Sequence, residues 1–474
     1  MKKIAKLSLV AAVAVAGLTT ANAQQLEDAI KKVEVSGSVV YRYNDYNSDT
    51  NYATEGSDAQ TGTGGAKNGI SDGKKGTNSD SNNNYKVGLN LAAPVNDFVK
   101  LNTRFLVANG NGEFAGDATP FGGLDTQNAG DSNVDVELSN VYFGYTGIKN
   151  TTVNVGKQGL TTPWTVATQI DGNEQTGTGI LALSTIENVT LAGAYFNQTN
   201  LQNSGNLIGV ADGSEDIATV GTIVAVGPVT LDAWYADMQE TFSTYTLGAK
   251  TSTTLGAVKL GADARFTALE TDRAVAETLS GFGSVSDDTI DSTHNYSSNI
   301  HDDNSLAKLT LTANVGIFGA KASYGKTGKE GGLTALDNDA STTLLAWGVT
   351  PNGKADADYY HLQAGVDILP ELNFALNYAN VDYTSGDSVT KNANNNVTGW
   401  TEKSVEEEEF YGQLTYKMSK NLTSYVRYGV FTQDSSSHTY KSSVAGSGEN
   451  AKHGDSRADS VDDTRGRIQI AYTF

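Results

Sequence analysis

Cysteine is absent from the 474 residues, and proline (6) and methionine (3) are scarce. Without cysteine there is no disulfide scaffold, no thiolate-ligated zinc and no iron–sulfur cluster. Basic residues are the minority, 33 Lys and Arg against 54 Asp and Glu, giving a formal charge of −21. Such a chain offers no basic face to neutralise phosphates, which argues against nucleic-acid binding. Hydrophobic residues reach only 38%, below the ~45–50% of ordinary globular domains. Long apolar runs are missing too, with one short exception at the N-terminus. There Lys2, Lys3 and Lys6 lead into the apolar stretch Leu7–Leu18 and the triplet Ala21-Asn22-Ala23. That order predicts a cleaved secretory signal over residues 1–23. The run is shorter than the roughly 20 residues a spanning helix needs. Losing its three lysines takes the formal charge from −21 to −24, and the mature chain is expected to be exported.

What the chain has in quantity is glycine (51) and tyrosine (22), set in a period of two. Val33, Val35, Gly37, Val39, Tyr41 and Tyr43 share one face, opposed mostly by Glu34, Ser36, Ser38, Arg42 and Asn44. The same alternation recurs in Tyr85–Leu91, Val258–Phe266 and Ile468–Phe474. Strands with one apolar and one polar face read this way. Short turns fall near Pro94–Asp97, Gly147–Asn150, Glu187–Asn188, Gly227–Pro228, Leu255–Gly256, Val315–Ile317, Leu369–Glu371 and Ser419–Asn421. Longer polar segments separate them, at Asn47–Asn84, Asn109–Asn133, Glu270–Asp303, Thr384–Lys403 and Asp434–Asp463. Asn, Gly and Asp suit such loops because they tolerate positive φ or bond their own backbone. Eight turns join sixteen strands, and one strand at each end makes eighteen.

This pattern predicts an all-β fold, a transmembrane antiparallel β-barrel of about 18 strands over residues 24–474, with short periplasmic turns and long extracellular loops. In hydrocarbon every backbone N–H and C=O needs a partner, and without helices only a closed sheet supplies one. The modest hydrophobicity follows, because only alternate residues meet lipid. Barrels of ~16–18 strands enclose a water-filled channel. The terminal Tyr472-Thr473-Phe474 suits an aromatic girdle at the lipid interface.

Several stretches also resemble a known family. Lys6-Leu7-Ser8-Leu9-Val10-Ala11-Ala12, Leu26–Gly37 followed by Tyr41-Arg42-Tyr43, and Gly156-Lys157-Gln158 carry the likeness, with Trp164, Ile170-Asp171-Gly172 and Gly177-Thr178-Gly179 after them in order. They resemble the Campylobacter-type major outer membrane protein family of porins. The resemblance is close over roughly the first 45 residues and the 155–180 region, and architectural elsewhere. It implies an 18-stranded barrel in the bacterial outer membrane, a homotrimer set in lipid and lipopolysaccharide, passing ions and small polar solutes by passive diffusion. It further implies that a loop over about 160–178 (Leu160–Thr178) folds inward and narrows the pore. Asp171 and Glu174 are its expected acidic lining.

Charge at the narrowest point sets ion selectivity. The inward strand positions are expected to carry Arg42, Lys86, Arg104, Lys259, Arg265, Lys417, Arg427, Arg465 and Arg467, each a pore-lining base or simply a solvated lumen charge. Carboxylates facing them would set up a transverse field, and Asp171 with Glu174 predicts a preference for cations. No cofactor is required. A calcium ion, which takes six to eight oxygens, is one reading of Asp171 with Glu174, or of Asp212, Glu215 and Asp216; solvated acidic loops are the other. The loops could also hold divalent cations that bridge lipopolysaccharide phosphates.

Nothing predicts an enzyme. Gly69-Ile70-Ser71-Asp72-Gly73 matches a nucleophile-elbow string but sits in a polar loop with neither strand nor helix beside it. His294, His301, His361, His438 and His453 are scattered, with His361 beginning a strand, and Glu406–Glu409 is expected at the loop-side end of a strand. A surface adhesin anchored by the barrel is the alternative function. A secreted β-solenoid is disfavoured because the loop lengths follow no fixed repeat.

Overall fold

In the computed structural model the alternating segments pair into one closed sheet. The structure describes residues 31–55, 76–108, 121–124, 135–170, 172, 174–201, 213–272, 275, 302–391, 397–441 and 452–474. The signal segment and the Gly69–Gly73 string lie outside these residues, as do Asp171, Asp212, His294 and His301.

The strands in chain order are β1 (Glu34–Glu55), β2 (Gly76–Pro94), β3 (Val99–Ala108), β4 (Gly122–Gly123), β5 (Asp135–Ile148), β6 (Thr151–Gly159), β7 (Thr176–Ile186), β8 (Val189–Thr199) and β9 (Ile217–Val226). They continue as β10 (Val229–Met238), β11 (Phe242–Leu255), β12 (Val258–Thr271), β13 (Asp303–Val315), β14 (Phe318–Thr327), β15 (Ala355–Leu369), β16 (Leu372–Lys391), β17 (Val397–Ser419), β18 (Leu422–Lys441) and β19 (Lys452–Thr473). Neighbours pair antiparallel throughout, and β1 pairs with both β2 and β19, which closes the sheet. β4 is a two-residue piece that pairs with β2 at Asn84 and Tyr85, beyond the span that β3 covers. The other eighteen strands form the wall, as the turn count predicts.

All eight short turns are present between consecutive strands. Three of them place Gly227, Gly256 and Gly316 at φ of 57°, 61° and 56°, the left-handed region that two-residue hairpins require. The strands run further than the apolar alternation indicates. β1 and β2 stay paired out to Thr50 and Gly76, and β16 to β19 likewise extend into segments expected as loops. Beyond the membrane a strand needs only its neighbour's backbone ladder, so its side chains can be polar on both faces and the period of two disappears.

Outward positions carry exposed apolar and aromatic groups on strands right around the barrel, including Tyr41, Val155, Phe266, Leu311, Phe410, Tyr428 and Ile468. A soluble protein rarely exposes a contiguous apolar patch beyond a few hundred Å², so this surface suits a hydrocarbon solvent. No described helix is long and apolar enough to cross a membrane; the strands do the crossing.

The buried apolar groups lie inside, where two connections fold into the lumen. One is the expected segment after β6, residues 160–175; Thr176–Thr178, expected in the loop, belong to β7. The other joins β14 to β15 over residues 328–354. Leu160 and Trp164 of the first and Leu333 and Leu336 of the second pack with Leu181, Phe196, Ile217, Met238, Phe242 and Leu269, contributed by β7 to β12. Leu344 and Val349 pack on Tyr359, Ala379 and Val381 of β15 and β16.

Candidate pore constriction

The first infolded segment is closed at its base by Leu160 N–H to Gln175 O at 2.8 Å and Gln175 N–H to Val166 O at 2.7 Å. Its tip is fastened to β2 and β3, a few strands along the wall. Lys86 Nζ donates to Gln169 O at 2.8 Å, Gly172 O at 2.7 Å and Glu174 Oε1 at 2.9 Å. Arg104 grips the same carboxylate in a fork, Nε to Oε2 at 2.7 Å and Nη2 to Oε1 at 2.6 Å, while Nη1 donates to Asn90 Oδ1 at 2.7 Å. Glu174 and Lys86 are each 1% exposed and Arg104 5%. Gly88 makes this possible, because a Cβ there would lie 2.6 Å from Arg104 Nη2. A bidentate arginine–carboxylate pair is among the strong charge-assisted contacts, and its burial shields it from salt. Glu174 therefore ties the loop to the wall, its single charge more than offset by two cations. Asp171, its expected companion, lies outside the described residues.

The second segment is joined to the first by Leu336 N–H to Trp164 O at 2.8 Å, Gln175 Nε2 to Leu336 O at 2.8 Å and Ser341 Oγ to Pro163 O at 3.0 Å. Asn352 replaces missing strand partners, accepting from Thr334 and Ala335 N–H at 3.0 and 3.1 Å and donating to Ala335 O at 3.0 Å. The Glu406–Glu409 run holds this segment from the wall. It lies within β17 instead of at the strand's loop-side end, because β17 runs out to Val397. Alternation splits the run. Glu406 and Glu408 face outward, bonding Asn380 and Tyr378, while Glu407 and Glu409 face inward. Glu409 accepts the N–H groups of Trp347 and Gly348, and Glu407 pairs with Lys354, whose ammonium lies 4.7 Å from the Tyr383 ring.

The remaining expected bases divide by position. Arg42 (β1), Arg427 (β18), Arg465 and Arg467 (β19) line one wall opposite the tip of the second segment. Arg427 and Arg467 lie 5.0 and 5.6 Å from the Trp347 ring, Arg465 3.8 Å from Phe431 and Arg42 4.1 Å from Phe121. Cations over aromatic faces are held by the ring quadrupole. Gln469 accepts from Arg42 Nε at 2.8 Å and Tyr425 OH at 3.1 Å. Arg265 is paired with Asp232 at 2.8 Å. Lys259 and Lys417 lie beside the short turns, Lys259 one residue into β12 and Lys417 three residues before Lys420, away from this wall. His361 lies well inside β15 instead of at its start, buried against Asn377 Oδ1 at 3.2 Å.

The sequence reading misses Trp347, Lys354, Glu407 and Glu409 as site residues, and with them the whole second segment. One signal was available. Residues 328–354 hold Leu333, Leu336, Leu344, Leu345, Trp347 and Val349, apolar groups that gain by being buried.

Among the described residues no group of three His, Asp or Glu side chains is placed to hold a metal. Glu174 does not fit a calcium role, since both its oxygens are taken by Lys86 and Arg104. Glu215 accepts from Gly213 N–H at 2.9 Å and Asp216 from Tyr195 OH at 2.5 Å.

Known proteins bear on this arrangement at two levels. The family model described as Campylobacter major outer membrane protein matches residues 1–450. Among solved structures, Pseudomonas aeruginosa OpdL superposes with a TM-score of 0.56 at 15% identity, covering 93% of this chain and 98% of its own. Pseudomonas aeruginosa OccK8 (OprE) gives 0.56 at 15% with the same coverage, and Pseudomonas aeruginosa OpdK with vanillate 0.56 at 13%, again 93% and 98%. At such identity the likeness concerns the fold. No curated protein matches the chain.

Proposed function

The chain belongs to the Campylobacter major outer membrane protein family, and from that premise we propose that it is a porin, a water-filled outer-membrane channel through which ions and small polar solutes diffuse passively. The observation that carries this reading is the combination of a closed eighteen-strand wall with two infolded segments that are fastened to it by ion pairs as well as by apolar packing. A barrel of that size encloses more space than wall side chains alone can fill. Facing the segments, the wall carries arginines and polar side chains suited to water.

A preference for cations belongs to the proposal. It is supported by the excess of 54 acidic over 33 basic residues and by Asp171, which lies in sequence between the Lys86-bound carbonyls of Gln169 and Gly172. The Glu174 charge is compensated and adds little. A homotrimer is proposed on the family resemblance. The reading assigns no catalysis.

Swelling of vesicles carrying the purified protein tests the channel. Rates that fall smoothly with the size of neutral sugars are expected, and no swelling above empty vesicles would refute it. The reversal potential in a KCl gradient tests the ion preference, which should weaken in Asp171→Asn.

A further inference from the structure

We propose that the recess between Trp347 and β19 is a seat for a small zwitterion, an amino acid, which binds its carboxylate on Arg467 and Arg465 and its ammonium on Asp463. The inference rests on the channel reading, because the solute must enter the lumen to reach the seat.

The recess has a volume of about 380 Å³, and Tyr46, Ser48, Trp347, Asp463, Arg465 and Arg467 line it. Its polar inventory is incomplete in both senses. An arginine carries five N–H donors. Arg467 uses Nε on Asn44 Oδ1 at 2.7 Å and Nη2 on the Tyr46 hydroxyl at 3.1 Å, and Nη1 has no partner among the described residues. Arg465 uses Nη2 on Asp463 Oδ2 at 3.0 Å, leaving Nε and Nη1. On the acceptor side Asp463 Oδ1 is buried with no hydrogen-bond partner. Buried polar groups are nearly always satisfied, so each exception calls for a reason.

A simple anion would meet the donors and leave Asp463 Oδ1 bare; an organic cation would do the reverse. A zwitterion meets both. Its planar carboxylate matches the guanidinium fork, and its ammonium supplies the positive donor that a lone carboxylate oxygen needs. Size agrees, since about 380 Å³ lies at the small end of the ~300–1,000 Å³ range of small-molecule sites and exceeds what an inorganic ion fills. The position of Arg465 depends on the loop tip as well, because a Cβ on Gly348 would stand 3.0 Å from its Nη1. The backbone N–H of Trp347 is held by Glu409, so the loop tip that carries the aromatic wall of the seat is in place before a solute arrives.

The test uses the full-length barrel, with alanine, propionate and ethylamine as probes of similar size. Uptake into vesicles and calorimetric binding to the detergent-purified protein are measured together. Alanine should bind saturably and enter at least about fivefold faster than propionate or ethylamine. Arg467→Gln should abolish the saturable binding, and Arg467→Lys, which keeps the charge without the fork, should restore it only in part. Asp463→Asn should erase the advantage of alanine over propionate. Tyr46→Phe, a milder change that releases Arg467 Nη2, should weaken alanine binding in a barrel whose folding is verified by heat-modifiable migration. Equal behaviour of alanine and propionate in the wild type would overturn the proposal, as would an alanine preference that survives Asp463→Asn. KCl conductance read on the same samples separates the two claims. Its absence defeats the channel reading, while saturable alanine binding in detergent still reports on the seat.

Discussion

At the scale of single residues, the side chains that shape the lumen hold charge by pairing it. Glu174 sits between Lys86 and Arg104 with almost no access to water. Replacing one partner of a buried ion pair leaves the others uncompensated, at a cost of about 3–5 kcal/mol. Glu174→Gln is therefore expected to detach the tip of the 160–175 segment, raising single-channel conductance and lowering the temperature at which the barrel becomes heat-modified. Unchanged values of both would show that the segment is held by other contacts. All three members are legible in the sequence, as an acid on an expected infolded loop and as bases on inward strand positions. Their meeting is not legible, because 88 residues separate Lys86 from Glu174 and strand order alone does not say how far a loop reaches across a lumen. Trp347 and Glu409 were less accessible still. The four consecutive glutamates read as one solvated patch until strand alternation divides them between outward-facing and lumen-facing sides.

Among the elements, the hairpins were the most readable. Seven of the eight short turns pair glycine or asparagine, and the eighth Pro370, with the end of an apolar alternation, and both signals are visible without knowing the fold. Strand ends on the opposite side were not, since β1, β2 and β16 to β19 continue as polar ladders once outside the membrane. The 328–354 segment shows the same limit from the other direction, because its apolar content is only meaningful beside the surfaces of β7 to β12 that it covers. Its packing yields a prediction. Replacing both Leu333 and Leu336, exposed 0% and 2%, by serine removes large buried groups, at roughly 2–5 kcal/mol each. The wall keeps its own backbone ladder and should still show heat-modifiable migration, whereas limited proteolysis should now cut within residues 328–354. Resistance equal to the wild type would mean that Lys354, Glu407 and Glu409 suffice to hold the segment.

For the whole molecule, closure is the property on which everything else depends. The seam is the β1–β19 pairing, and it finishes in a reciprocal pair at the membrane edge, Gly37 N–H to Phe474 O at 2.9 Å and Phe474 N–H to Gly37 O at 3.0 Å. Deleting Phe474 removes both bonds and the stacking of its ring on Tyr472, whose centroid lies 5.8 Å away. Slower refolding into detergent or lipid is expected, with the final conductance unchanged, because neither ring faces the lumen. A closed wall of eighteen strands with arginines facing two fastened loops implies a permanent aqueous path, and that claim is tested most directly by single-channel recording from the purified protein in a planar bilayer. Stepwise currents that persist at zero applied effector and scale with KCl concentration are the predicted result. A correctly folded, heat-modifiable barrel that passes no current would contradict it.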